Sequence, residues 1–301
     1  MSMPSIPSQV INALALPTVP YSERSVSTNG IHLHVVEAGP QTGLLVLLLH
    51  GFPEFWRAWG KQIDRLAGAG FRVWAVDQRG YNLSDKPTGV DAYNLHLLSD
   101  DVIGLLDAAG AEQAAVVGHD WGAAVAWWTA NRYPGRVSHL VAMNVPHPVV
   151  LMRQLRSNWR QRLRSSYIAF FQIPALPEAL LRASDWGRLA RTVQGSARPG
   201  VFGVGDMVAL RGAWSQPGAI SAMLNWYRAV RQMPRLPTLQ IEPRTLIIWG
   251  AQDNFIGREA AVQSAALCTD ARLEFVEDAT HWVHHEESAR VGRLLLDFLT
   301  K

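Results

Sequence analysis

Cysteine is nearly absent from this 301-residue chain: Cys268 stands alone, which excludes a disulfide within the chain and fits a reducing compartment. Charge is sparse and almost balanced. Charged residues make up 18% of the sequence and the net charge is +3, too small to argue for a nucleic-acid partner. Long apolar runs are missing as well. The longest strongly apolar one, Leu44 to Leu49, has the length of a strand and falls far short of the roughly 20 residues that span a bilayer. No basic segment precedes an apolar stretch at the start, and Val10 to Leu16 is too short and mixed to act as a secretory signal. Internal repeats and low-complexity tracts are lacking too. What these absences leave is a soluble, cytoplasmic, globular protein, long enough for one large domain or for a domain carrying a substantial insertion.

The apolar residues that are present follow a pattern. Residues 1–24 are rich in Ser and Pro and read as an arm laid over the surface. Ser25 to Glu37 alternates polar and apolar residues about Asn29-Gly30, a hairpin signal between two strands. Leu44 to Leu49 reads as a strand buried on both faces of a mainly parallel sheet, and it empties into His50-Gly51-Phe52-Pro53. Phe71 to Val76 is the next strand. It closes on Asp77-Gln78-Arg79-Gly80, where Asp77 and Arg79 read as a structural turn pair. A helix over Leu95 to Ala109 stops at Gly110. The strand Ala114 to His119, a helix and the strand Leu140 to Val145 follow. Such alternation predicts an α/β fold, a mainly parallel sheet with helices on both faces. The pattern breaks at Pro146-His147-Pro148, after which only helical segments separated by Pro and Gly are found. Arg244 to Gly250 and Arg272 to Val276 resume the strands, and Ser288 to Leu299 closes the chain as an amphipathic helix. The expected organisation is a discontinuous core, residues 1–146 and 237–301, with a helical cap, residues 147–236, inserted between its halves.

One turn stands out. In Gly118-His119-Asp120-Trp121-Gly122-Ala123, small residues sit two before Asp120 and two and three after it. A sharp strand-to-helix turn strains its central residue, and only small neighbours leave room for it. A serine is usual at such a nucleophile elbow. A carboxylate there can displace a leaving group at saturated carbon and form an alkyl ester, though it is a poor acyl-transfer nucleophile. On this stretch alone, an ordinary strand-Gly-helix crossover with an incidental Asp is the alternative.

Loops at the carboxyl ends of parallel strands converge on one rim, where ligands bind. Besides Asp120, that rim receives Asp253, three residues beyond Trp249-Gly250, and His281, after the strand Arg272 to Val276. A His serves as general base near neutral pH if a carboxylate fixes its tautomer and stabilises its cation. His284 and His285 compete with His281 but enter the last helix, and Asp278 competes with Asp253 but reads as a turn residue. Asn144 leaves no acid at the end of the strand before the cap. His50-Gly51-Phe52-Pro53 forms a fourth strand end. There the backbone N–H of Phe52, with that of Trp121, forms a candidate oxyanion hole; a plain loop is the alternative.

Taken together, His50-Gly51-Phe52-Pro53-Glu54, Gly118-His119-Asp120-Trp121-Gly122, Trp249-Gly250 with Asp253, and Thr280-His281-Trp282 resemble the epoxide hydrolases of the α/β-hydrolase fold. The likeness covers nearly the whole chain after residue 25. Within the cap, Ser166 to Pro174 and Asn225-Trp226-Tyr227-Arg228 match the two tyrosine-bearing segments of that family. Asn82 departs from it, standing where these enzymes often have Gly, and a local turn change is expected. The resemblance implies Asp120 as nucleophile, Asp253 and His281 as acid and base, and Tyr167 and Tyr227 as donors to the epoxide oxygen. It also puts His50, Pro53 and Trp121 against the substrate. Read from the residues, Ile220, Met223, Leu224 and Tyr227 share a helix face, and Tyr167 shares one with Phe170 and Phe171. Without the resemblance, both tyrosines read as core residues bonded to backbone carbonyls.

The implied reaction converts an epoxide to a vicinal diol, with a small apolar epoxide and water as the partners. No cofactor and no metal is called for, since no metal-ligand spacing is found and His284-His285-Glu286 lacks a partner cluster. The closest alternative is a dehalogenase sharing the Asp nucleophile. Haloalkane-active enzymes usually carry Asn where this chain has Phe52, and fluoroacetate-active ones Arg where it has Trp121. A catalytically silent, ligand-binding relative is a further alternative, against which the intact Asp120, Asp253 and His281 argue. Arg153, Arg156, Arg160, Arg162 and Arg164 read as the solvated face of a cap helix, so neither membrane nor nucleic-acid attachment is expected. Trp159, Trp186 and Trp214 suggest an apolar pocket. Monomer and homodimer both remain open.

Overall fold

The computed structural model describes residues 13–236 and 238–301. The first twelve residues of the expected surface arm, and the expected core boundary at 237, therefore lie outside the described residues. The chain begins its sheet with a hairpin, β1 (Tyr21–Thr28) and β2 (Ile31–Ala38). Asn29 and Gly30 take φ of 47° and 76°, the left-handed pair that a two-residue turn between twisted strands needs. Next come β3 (Leu45–Leu49), α1 (Gly60–Gly68), β4 (Arg72–Val76), α2 (Leu95–Ala108), β5 (Ala114–His119), α3 (Trp121–Arg132) and β6 (Val137–Met143).

Among the described residues the strands form one eight-stranded sheet in the spatial order β1-β2-β4-β3-β5-β6, continued by β7 (Arg244–Gly250) and β8 (Ala271–Val276). β1 and β2 pair antiparallel, as do β2 and β4, and every later pairing is parallel. All five residues of β3 and all six of β5 are buried, since both strands lie mid-sheet with helices over both faces. At about 1.5–3 kcal/mol for each large apolar side chain taken fully from water, these strands anchor the core. Helix α3 is buried from Gly122 to Asn131 and packs on β3, β5 and β6. Its alanines, Ala123, Ala124, Ala126 and Ala130, allow that close approach. Asn94 caps α2 by accepting from the amides of His96 and Leu97.

Six helices run between β6 and β7: α4 (Pro148–Ser157), α5 (Trp159–Arg164), α6 (Ser166–Phe170), α7 (Leu176–Ser196), α8 (Val204–Trp214) and α9 (Ala219–Ala229). α7 is broken at Ala183–Trp186, where Ser184, Asp185 and Trp186 all have positive φ. After β7 the chain adds α10 (Glu259–Ala265), β8, α11 (Val283–Glu286) and α12 (Ser288–Leu299). In α12, Val291, Leu294, Leu295 and Phe298 form the buried stripe of an amphipathic helix.

Several boundaries differ from the sequence expectation. β1 begins at Tyr21, inside the stretch read as a surface arm, and Ala13 and Leu14 of that stretch are buried. β6 starts and stops earlier than Leu140 to Val145, because Asn144 turns out of the strand at φ 52°. Core helices α1 and α10 carry no capping side chain and have no counterpart in the sequence reading. Asp77 and Arg79 do not pair with each other. Asp77 accepts from the Trp56 amide and meets His34 and Asn82, while Arg79 grips Asp101 through two bonds of 2.7 and 2.6 Å. Asn82 itself adopts φ 40°, a conformation suited to Gly, and its amide holds Asp77 at 2.7 Å.

Candidate active site

Between β5 and α3 the backbone reverses over one residue, and Asp120 occupies that position at φ 50°, ψ −122°. Such a conformation costs a non-glycine residue about 1–3 kcal/mol and persists only where the surroundings impose it. Here they do. A Cβ on Gly118 would overlap the Gly122 backbone, and one on Gly122 would overlap the carbonyl of Leu49. The turn thus closes against β3, and a Cβ on Gly51 would strike Asp120 itself.

The Phe52 amide donates to Asp120 Oδ1 at 2.8 Å, and the peptide bond from Phe52 to Pro53 is cis. The other oxygen, Oδ2, lies 3.6 Å from His281 Nε2. On the far side of that ring, Nδ1 is 2.8 Å from Asp253 Oδ2. The three strand ends that bring these groups together belong to β5, β7 and β8. Asp253 Oδ1 accepts from the amides of Phe255 and Ile256 at 2.7 and 3.0 Å, so the carboxylate is held at both oxygens. His284 and His285 point elsewhere, and Asp278 is exposed in a turn.

Electrostatics couple the pair. Burial disfavours a charged His281 ring, but the charge of Asp253 and hydrogen bonds to Asp120 and Asp253 outweigh it and raise its pKa to about 10. Burial likewise opposes charge on Asp120, yet the His281 partner, the His119 ring and the Phe52 amide hold it below the ordinary carboxylate value. At neutral pH the free site is therefore an Asp120 carboxylate facing a His281 cation.

Tyr167 from α6 and Tyr227 from α9 come within 5.9 Å of each other, ring centroid to centroid. Tyr227 packs edge-on against Phe52 and Trp121 at 5.3 and 5.1 Å. Burial, followed by the negative charge of Asp120, raises both phenol pKa values, so both hydroxyls stay protonated. Asp120, His281, Tyr167, Tyr227, Phe52 and Pro53 all line one cavity of about 240 Å³, and Trp121 lines a smaller one beside it.

His50 does not reach either cavity. It is buried, and its Nε2 accepts from the Gln78 amide at 3.1 Å, which puts the ring proton on Nδ1, 3.0 Å from the Gly51 carbonyl. Its work is to brace the loop after β3. The expected pocket tryptophans are also elsewhere: Trp159 is exposed, and Trp186 and Trp214 pack on each other at 5.9 Å. Phe52, Phe171, Phe255 and Trp282 line the cavity instead.

Two further groups escaped sequence reasoning. Asn144 donates to Asp253 Oδ2 at 2.8 Å and accepts from the Gly250 amide at 3.0 Å, so the residue set aside for lacking an acid orients the acid. Behind His281, the His119 Nε2 proton goes to the His281 carbonyl at 2.9 Å, while Nδ1 lies 3.4 Å from Glu54 Oε2. His284 is equally near that oxygen, and His285 bonds the other. His284-His285 therefore does have a partner, Glu54, whereas Glu286 bonds Thr280. Burial works against charge on Glu54, but the surrounding imidazoles hold its pKa well below the usual carboxylate range, while burial and neighbouring rings keep that of His284 well below the ordinary histidine value. Among the described residues, Glu54, His284 and His285 have ligand atoms within metal-binding reach of one another, all within 4.8 Å. The Glu54–His285 hydrogen bond ties this buried group together beneath the site.

A family model described as the alpha/beta hydrolase fold matches residues 45–288. The AB hydrolase superfamily protein YfhM of Bacillus subtilis is 48% identical over 276 residues, covering 91% of this chain and 96% of that protein. Epoxide hydrolase 2 of Caenorhabditis elegans is 34% identical over 288 residues, 93% of this chain and 81% of that one. Among solved structures, the Bacillus megaterium epoxide hydrolase in complex with an inhibitor superposes with a TM-score of 0.83 at 30% identity, over 92% of this chain and all of that one. With the sheet, the carboxylate elbow and these relatives in agreement, the chain belongs to the epoxide hydrolases of the α/β-hydrolase fold family.

Proposed function

We propose that this chain converts epoxides to vicinal diols in two chemical steps on Asp120. The observation that carries the reading is the division of labour at that carboxylate. Oδ1 is pinned by the Phe52 amide, and Oδ2 is left facing the cavity beside the His281 ring. In the first step, Oδ2 attacks an epoxide carbon, the C–O bond breaks, and a hydroxyalkyl ester forms. Tyr167 and Tyr227 donate to the oxygen as its charge develops. The proton that the alkoxide acquires is balanced by loss of one from the His281 cation, whose pKa falls once the ester has removed the Asp120 charge. The first step thereby makes the base for the second.

In the second step, neutral His281, oriented by Asp253 and Asn144, takes a proton from water, which attacks the ester carbonyl. Oδ1, as the carbonyl oxygen, develops charge against the Phe52 amide, with the Trp121 amide as its second donor. Collapse of the adduct releases the diol and restores the Asp120 carboxylate and His281 cation. The helices of residues 147–236 act as the cap, bringing the two tyrosines over a core made of residues 13–146 and 238–301. No helix among the described residues is long and apolar enough to cross a membrane, and the single cysteine fits a cytoplasmic location.

Oxygen labelling tests this route. Excess enzyme reacting once with epoxide in ¹⁸O-water is expected to yield largely unlabelled diol and labelled Asp120. Label in the diol from the first turnover, with Asp120 unlabelled, would mean that water attacks the epoxide directly.

A further inference from the structure

The cavity at Asp120 does not stand alone. Asp120, Tyr167 and Tyr227 also line a second space of about 60 Å³ on the side of Leu151, Met152 and Leu155. A third, of about 50 Å³, shares Leu151 and Met152 with the second. The reacting groups therefore stand at a junction between one large lobe and one small, divided lobe.

The two sides differ in their walls as well as in size. The large lobe is lined by Phe171, Leu189, Val193 and Trp282 and reaches the exposed Thr192, so it opens to solvent. No residue lining either small compartment is exposed. Its wall on the side away from the large lobe is one face of α4, where Pro148, Leu151, Met152 and Leu155 follow a spacing of three and four residues. At roughly 30 Å³ per non-hydrogen atom, the share of a water in the liquid, the large lobe takes about eight atoms and the compartment next to Asp120 about two.

We propose that the substrates of this site are epoxides with one long apolar arm and a second substituent no larger than methyl or ethyl, and that Met152 with Leu151 and Leu155 sets this limit. The inference rests on the epoxide hydrolase reading above. An epoxide held by Tyr167 and Tyr227 with one ring carbon on Asp120 projects its substituents to opposite sides of the junction. The arm enters the open lobe, where added length runs out toward Thr192. A second substituent meets the face of α4 across a space of only about 60 Å³, and excess volume there displaces the ring from Asp120. One methylene in an apolar pocket changes kcat/KM by roughly tenfold or more.

The matched isomers 1,2-epoxydecane and trans-5,6-epoxydecane test this, because they have the same atoms and differ in how the chain is divided. The terminal isomer is expected to have a kcat/KM about tenfold or more above the internal one. Met152→Ala joins the two small compartments and is expected to narrow that ratio at least several-fold; Met152→Val serves if the alanine variant does not fold. Equal use of both isomers, a preference for the internal one, or a ratio unmoved by the Met152 substitution would overturn the proposal. His281→Ala distinguishes this failure from that of the underlying reading. If either isomer adds its mass to the His281→Ala protein, the Asp120 chemistry stands and only the size limit falls. If neither does and neither is turned over, both fall.

Discussion

At the scale of the residue, the site turns on one proton. His281 carries it because two carboxylates face its two nitrogens, and the raised pKa has a defined consequence for stability. A folded-state value of about 10 lies above the ordinary histidine value of 6.5. The stabilisation from this group is thus complete below about pH 6.5 and is lost as pH rises through about 10. Asp120→Asn removes one of the two charges. NMR titration of the imidazole is expected to find His281 cationic at pH 8 in the native protein, with its titration moved to lower pH in Asp120→Asn. A neutral ring at pH 8 in the native protein would contradict the ion pair. The meeting of Asp120, Asp253 and His281 was legible in the sequence because each follows a recognisable strand. The work of Asn144 and Glu54 was not legible, although Glu54 belongs to a recognisable motif, because their partners lie 109 and 231 residues away. His50 misled for the opposite reason: it lies in a motif at the rim, and only the bond from Gln78 reveals that its ring turns inward.

At the scale of the element, two short helices decide where the phenols sit. α6 has five residues and α9 eleven, and neither would persist alone in water. α9 is buried on nearly all sides, with Ile220, Met223, Leu224, Trp226 and Tyr227 all inside, so packing and not propensity holds it. That also explains why its one apolar face understated its burial. If both tyrosines donate to the same oxygen, Tyr167→Phe or Tyr227→Phe alone should each slow epoxide opening by about a hundredfold, and the double variant should be nearly inert. Near-native turnover by the double variant, measured as diol release, would remove both hydroxyls from the reaction. Strands were read to within a few residues because apolar runs bounded by turns announce them. Breaks were harder. Three consecutive positive φ values in α7 fall on Ser184, Asp185 and Trp186, whose indole bonds Ser215 at 2.8 Å; Ser184, Asp185 and the following Gly187 are turn-favouring residues that the helical reading passed over.

At the scale of the molecule, the helical layer and the sheet are joined by buried indoles. Trp214 of α8 donates to the Pro53 carbonyl at 2.6 Å, and Trp226 of α9 to the Arg79 carbonyl at 3.0 Å, so each ties a helix to a loop at the rim. Leaving one such carbonyl without a donor costs about 1–3 kcal/mol. Trp214→Phe is accordingly expected to lower the thermal midpoint by several degrees, at about 2–4 °C per kcal/mol for a mid-sized domain. An unchanged midpoint in a thermal scan would show that the tether contributes nothing. The α/β alternation, and the helical stretch that interrupts it, were both legible from strand spacing; the contacts between helices and rim were not, because they depend on indole direction. Asn144 closes the molecule in another way. It follows the last residue of β6, holds the amide that ends β7, and so fastens together the rim ends of two neighbouring parallel strands. Viewed as a rivet, it keeps the end of β7 that carries Asp253 fixed to the point where the chain departs for six helices, so a change in those helices is not passed directly to the acid behind His281.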